Sequence, residues 1–158
     1  MKKLISIVTP CFNEKDNIDE LCSRINAVMG DLNYRYDPIF IDNCSTDGTI
    51  QKIKEIAAND KRVKLIVNVR NFGHIRSPYY ALLQSRGDAC VLIASDLQDP
   101  PEMISQFIQK WEEGFKTILA VKPESKESPL MFLIRRAYYK LITSISEVPL
   151  VQNATVAG

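Results

Sequence analysis

Five short, nearly continuous apolar runs rich in β-branched residues, Leu4–Val8, Pro38–Ile41, Val63–Val67, Ala89–Ala94 and Thr117–Val121, alternate with stretches whose apolar residues recur at helical spacing. Runs of this kind suit strands covered on both faces. Between them, Ile18, Leu21, Cys22, Ile25, Val28 and Met29 share one helical stripe, as do Ile50, Ile53, Ile56 and Ala57, and then Ile104, Phe107, Ile108 and Trp111. This βαβ alternation predicts an α/β fold, a mainly parallel sheet with helices on both faces. A further helix is expected over Ser77–Arg86, with Ser77 as its cap and Pro78 in its first turn. After the charged link Lys122–Ser128, a last helix is expected from about Pro129 to Ile145. The reading divides the chain into an α/β domain over 1–128 and a following segment over 129–158.

Composition removes several classes of function. A net charge of +1 gives no electrostatic reason to expect a nucleic-acid partner. Cys11, Cys22, Cys44 and Cys90 are widely spaced, form no CxxC pair and read as reduced thiols of the cytoplasm. His74 is the one histidine, which argues against a zinc site, whereas oxygen ligands for Mg²⁺ or Mn²⁺ are plentiful. The apolar run at Leu4–Val8 is too short for a signal peptide, and no stretch approaches the ~20 apolar residues of a membrane span.

Open parallel sheets bind ligands outside the carboxyl ends of their strands, near the switch in strand order. The residues expected there are polar and acidic. The first strand leads into Thr9-Pro10-Cys11-Phe12-Asn13-Glu14, the second ends at Asp42, the third leads to Arg70 and Asn71, and the fourth ends at Ser95 and Asp96. An acid in the position of Asp42 can accept hydrogen bonds from a ribose or base, while Ser45 or Asp47 can cap the helix that follows. In Ser95-Asp96-Leu97-Gln98-Asp99-Pro100-Pro101-Glu102, two carboxylates and a carboxamide offer oxygens to a hard cation that neutralises a diphosphate. Asp99 has a second reading, as a cap for the helix opened by Pro100 and Pro101.

The ordered segments TPCFNE, IDNCSTDGT, RNFG and SDLQDPPE resemble family 2 glycosyltransferases of the GT-A fold, in particular those related to polyprenyl-phosphate sugar transferases, and the likeness extends over nearly the whole chain. The resemblance implies that Pro10, Phe12 and Glu14 line a nucleotide pocket, that Asp42 meets the uracil or ribose, and that Arg70, Asn71 and Gly73 border the donor site. It also implies that Asp96 is the last acid of the family's metal-binding DxD motif and that Gln98 completes the metal shell, with Asp99 beside them. The expected donor is a UDP-sugar carrying a hexose or N-acetylhexosamine. The expected reaction is inverting transfer to a polyprenyl phosphate or a cell-surface glycan, with Mg²⁺ or Mn²⁺.

Three departures from the family pattern stand out. Asn43 replaces a second acid after Asp42. Ala94 replaces the first Asp of DxD, leaving the metal to Asp96, Gln98, Asp99, water and the diphosphate, so that metal affinity without nucleotide should be weak. The acceptor-side motif with its catalytic acid is not met by Gly158, so the general base is expected beyond residue 158 and the chain reads as truncated.

Leu130, Leu133, Ile134, Ala137, Tyr138, Leu141, Ile142 and Ile145 would lie on one face of the last helix, with Arg135, Arg136 and Lys140 off it. Core packing, a homodimer contact and a basic amphipathic helix at the inner face of the cell membrane are the readings of that stripe. The resemblance favours the membrane. Two other functions stay in view: a nucleotide-binding module without turnover, and a dinucleotide-dependent oxidoreductase, which would call for GxGxxG where this chain has TPCFNE. His74, Tyr79 and Tyr80 receive no chemical role.

Overall fold

The structure, a computed structural model, describes residues 2–120. Strands β1 (Leu4–Cys11), β2 (Arg35–Asp42), β3 (Lys64–Val67) and β4 (Ala89–Leu92) alternate with helices α1 (Ile18–Gly30), α2 (Thr49–Asn59), α3 (Gly73–Gln84) and α4 (Met103–Glu112). The strands form one parallel sheet in the order β3-β2-β1-β4. From β1 the chain steps outward to β2 and β3, then returns across the sheet to the other side of β1. With right-handed crossovers, that reversal sends α3 to the face opposite α1 and α2.

The core shows the two layers. Ile5, Ile7, Phe40, Val91 and Ile93 pack against Ile18, Leu21, Ile25 and Met29 of α1, Ile53 of α2, and Ile104 and Ile108 of α4. On the other face, Val8, Ile39 and Ile41 pack against Ala81 of α3. Each fully buried aliphatic side chain contributes roughly 1.5–3 kcal/mol, and the even and odd positions of β1 feed different layers, as strand alternation requires. Arg24 of α1 and Glu102, the residue before α4, pair at 2.6 Å and join the two helices at the surface. The pairing holds the Glu102 carboxyl down at about 2.

Two local features make this arrangement possible. Pro38 lies inside β2, but β3 pairs with β2 only from Ile39 onward, so the missing N–H stands ahead of that ladder. At Gly87 the α3–β4 turn passes so near β1 that a Cβ would sit 2.6 Å from the Ala89 carbonyl oxygen and 2.7 Å from the Ser6 nitrogen. No side chain fits there.

Two expectations are corrected. Thr117–Ala120, expected to form a fifth strand, is irregular, with Thr117 and Leu119 exposed; Val121 lies outside the described residues. A short apolar run carries no information about whether a neighbouring strand is there to pair with it. Helix α3 starts at Gly73, not Ser77, so Pro78 is its sixth residue rather than part of its first turn. Ser77 is buried and accepts a hydrogen bond from Asn68 Nδ2 at 2.8 Å instead of capping. The expected segment 129–158, with its stripe, lies outside the described residues.

Candidate active site

The reversal between β1 and β4 opens a cleft at the carboxyl ends of the strands, where doubly wound sheets hold ligands. Its volume is about 300 Å³. Pro10, Cys11, Phe12 and Glu14 form the β1 side, Ala94, Ser95 and Asp96 the β4 side, and Asn43 the floor at the end of β2. Asn71, Gly73, His74, Ser77 and Pro78 close the remaining wall from the β3–α3 loop and the start of α3.

The β1 and β2 loops are tied to each other. Asn13 N–H donates to Ser45 Oγ at 2.9 Å, and Thr46 N–H returns a bond to Asn13 Oδ1 at 2.8 Å. Glu14 N–H donates to Thr49 Oγ1 at 2.9 Å and Lys15 N–H to Asp47 Oδ2 at 3.1 Å. Asp47 also accepts from the Thr49 N–H and hydroxyl, one residue ahead of the left-handed Gly48 that precedes α2. Burial raises the Asp47 pKa, but the bonds from Thr49 and Lys15 outweigh it and hold the carboxyl below its ordinary value. Asn13 and Cys44 adopt positive φ, 58° and 72°, a conformation costly for residues with side chains.

At the β4 end, Ser95 Oγ donates to the Pro10 carbonyl at 2.9 Å, and Asp96 Oδ1 accepts from Gln98 N–H at 3.0 Å across Leu97, whose φ is 59°. Burial pushes the Cys11 thiol far up, with a smaller opposing effect from Ser95, so Cys11 contributes an uncharged wall. The thiol of Cys22, in α1, is raised by burial to about 11. All four cysteines are free.

Of the residues expected at the donor site, Pro10, Phe12, Glu14, Asn71, Gly73 and Asp96 line the cleft. Asp42 is fully buried behind it; its Oδ1 accepts from Ser45 N–H at 2.8 Å, and its Oδ2 has no hydrogen-bond partner. Arg70 lies over the ring of Phe72, 4.8 Å from its centroid. Of the expected metal ligands, Asp96 reaches the cleft, Gln98 is exposed outside its lining, and Asp99 is half-buried outside it. Asp99 precedes Glu102, the N-cap of α4, by three residues. Asn43, which the resemblance treats as an altered nucleotide contact, and His74, expected near the donor-side edge, both line the cleft, and Ser77 and Pro78 join them without a signal in the sequence. The position of Pro78 suggests a later helix start, which hides Ser77 and Pro78 from the cleft wall.

Phe12 remains 48% exposed although apolar, a flat face beside carboxylates and a helix N-terminus. Such a combination suits a nucleotide, with its planar base and anionic phosphates. The comparisons agree on the fold. The fold aligns with a Pyrobaculum calidifontis mannosyltransferase in complex with GDP-Man and Mn²⁺, at a TM-score of 0.60 and 20% identity over 90% of this chain and 39% of that one. It aligns also with S. aureus TarS in complex with UDP, at 0.53 and 27% over 70% and 32%. The chain has the α/β GT-A fold of the nucleotide-sugar transferases.

Residues 6–148 match Glycosyl transferase family 2, and the chain belongs to that family. It is 35% identical to the uncharacterized glycosyltransferase YkcC of Bacillus subtilis, over 90% of this chain and 45% of that protein. It is 33% identical to an undecaprenyl-phosphate 4-deoxy-4-formamido-L-arabinose transferase of Pseudomonas fluorescens, over 87% and 40%. The chain thus spans less than half the length of these relatives.

Proposed function

We propose that this chain is the donor-binding part of a transferase that moves a hexose or N-acetylhexosamine from a UDP-sugar to a lipid phosphate, with inversion at the anomeric carbon. The observation that carries the reading is the cleft at the β1–β4 switch point, where exposed Phe12 and the carboxylate of Asp96 face the N-terminal turn of α3. Phe12 offers the base a stacking surface. The first turn of α3 presents N–H groups and partial positive charge to the phosphates. The acceptor is proposed as a lipid phosphate because the Pseudomonas relative is named for undecaprenyl phosphate.

The residues present fit a divalent cation in one way. Among the described residues no group of three or more His, Cys, Asp or Glu side chains could hold an ion. Ala94 supplies no side-chain oxygen, and Glu14 is engaged by Asn17 Nδ2 at 2.6 Å. Asp96 would therefore hold the ion together with the donor's own diphosphate, so that binding of Mg²⁺ or Mn²⁺ would be coupled to binding of nucleotide. When bound, the ion neutralises charge on the departing diphosphate.

A thermal-shift panel of UDP-, GDP- and dTDP-sugars, each with and without Mn²⁺, tests the donor class. The largest shift is expected for UDP-sugars in Mn²⁺. A larger shift with GDP-sugars would reassign the base, and no shift with any nucleotide would reject the donor site.

A further inference from the structure

The side chain of Asn43 stands at the floor of the cleft with all its hydrogen-bonding groups turned toward the β3–α3 wall. It is 7% exposed. Oδ1 accepts from the Phe72 N–H at 2.8 Å and from Asn68 Nδ2 at 3.2 Å. Nδ2 donates to Asn71 Oδ1 at 2.8 Å and faces the Gly73 carbonyl at 3.4 Å. The orientation of both amides follows from backbone donors, which have only one polarity. The Phe72 N–H requires an oxygen from Asn43, and the Gly73 N–H, 2.8 Å from Asn71, requires an oxygen there. The group that Asn43 turns to Asn71 must then be a donor.

A carboxylate of the same shape fails this test. Asp at position 43 would keep the bond from Phe72 but set its second oxygen against Asn71 Oδ1 and the Gly73 carbonyl, two acceptors. Turning the Asn71 amide over would satisfy the carboxylate and strip the Gly73 N–H of its acceptor. Either way one bond of the turn that launches α3 is lost.

We propose that Asn43 is a positioning residue for the donor cleft. Its carboxamide fixes Asn71–Gly73, and with them the first turn of α3, against the end of β2, and the amide is required where an acid would release that wall. Asn43 acts through the loop and not as a ligand contact. This rests on the donor-binding reading above only for its consequence on nucleotide affinity; the effect on the loop stands without any ligand.

The experiment is a double-mutant cycle of Asn43→Asp and Asn71→Ala in the full chain. It is read by amide hydrogen exchange at Phe72 and Gly73 without ligand, and by calorimetric UDP affinity in Mn²⁺. Each single variant should speed exchange at these amides and weaken UDP roughly fivefold to tenfold. Because both break the same bond, the double variant should be little worse than either. Asn71 is exposed, so Asn71→Ala keeps the test alive if Asn43→Asp does not fold.

Unchanged exchange at Phe72 and Gly73 in the variants would overturn the proposal. So would additive losses, or a loss of UDP affinity without faster exchange, which would make Asn43 a direct contact. If the parent itself does not bind UDP while the exchange results hold, the donor reading fails and the loop role stands.

Discussion

At the β1–β2 end of the cleft, two loops are laced together by side chains of Asn13, Ser45, Asp47 and Thr49 that accept each other's backbone N–H groups. At the β4 end, Asp96 is tied to its own turn through Gln98, and Ser95 makes the bond across to β1. The first end is built before any ligand arrives. The second holds a carboxylate at the rim, whose other partners in our account come with the donor. A site that binds a nucleoside in a fixed frame and shares a cation with its diphosphate has use for that division.

Substitutions should separate the two ends, since the β1–β2 end carries stability and the β4 end, in the proposed function, carries ligand. The largest loss is expected for Asn13→Val, which places a β-branched residue at a φ of 58° and removes the acceptor of the Thr46 N–H. Strain and the lost bond together cost about 3 kcal/mol, visible as a drop of roughly 10 °C in melting temperature. Wild-type stability would show that the lacing is ornamental.

Asp47→Ala comes next, at about 1 kcal/mol, for the bonds to Thr49 and Lys15. Its pH dependence has a definite sign. The folded-state pKa of Asp47 is below its ordinary value of 3.8, so this carboxylate stabilises the fold above that pH, and the contribution is lost as pH falls through the folded value. Acid melting curves of parent and Asp47→Ala should therefore converge below that range. Curves that stay parallel would place the carboxylate's effect elsewhere.

Smallest of all is the expected effect of Asp96→Ala on the melting temperature of the free protein, within the equivalent of about 0.5 kcal/mol. A destabilisation as large as that of Asp47→Ala would make the two ends alike and break the comparison.

The same contrast marks what could be read in the sequence. The strands of the inner sheet announce themselves, because burial on both faces leaves little but apolar residues between Leu4 and Val8 or Pro38 and Ile41. Helix stripes such as Ile18 to Met29 are equally plain. The motif segments put Pro10, Phe12, Glu14 and Asp96 at the cleft, since strand ends on a parallel sheet share one edge. What escaped depends on side-chain direction and on bonds between distant loops. Asp42 and Asn43 are neighbours in sequence, but strand alternation turns Asp42 to the layer of α1 and α2 and Asn43 to the layer of α3, where the cleft is. The early start of α3 escaped because Pro78 looks like a first-turn residue, and helix α3 tolerates it at its sixth. Thr117–Ala120 misled for a third reason: an apolar run is a statement about burial, and a strand also needs a partner.

The central claim is that the cleft binds a nucleoside diphosphate together with a cation shared through Asp96. Calorimetric titration of UDP into the parent and Asp96→Ala, each with and without Mn²⁺, tests it most directly. We predict that Mn²⁺ tightens UDP binding to the parent by roughly tenfold or more, about 1.4 kcal/mol or greater, that Asp96→Ala loses most of this gain, and that the affinity for uridine is the same in both. An equal Mn²⁺ effect in the two proteins would contradict the account.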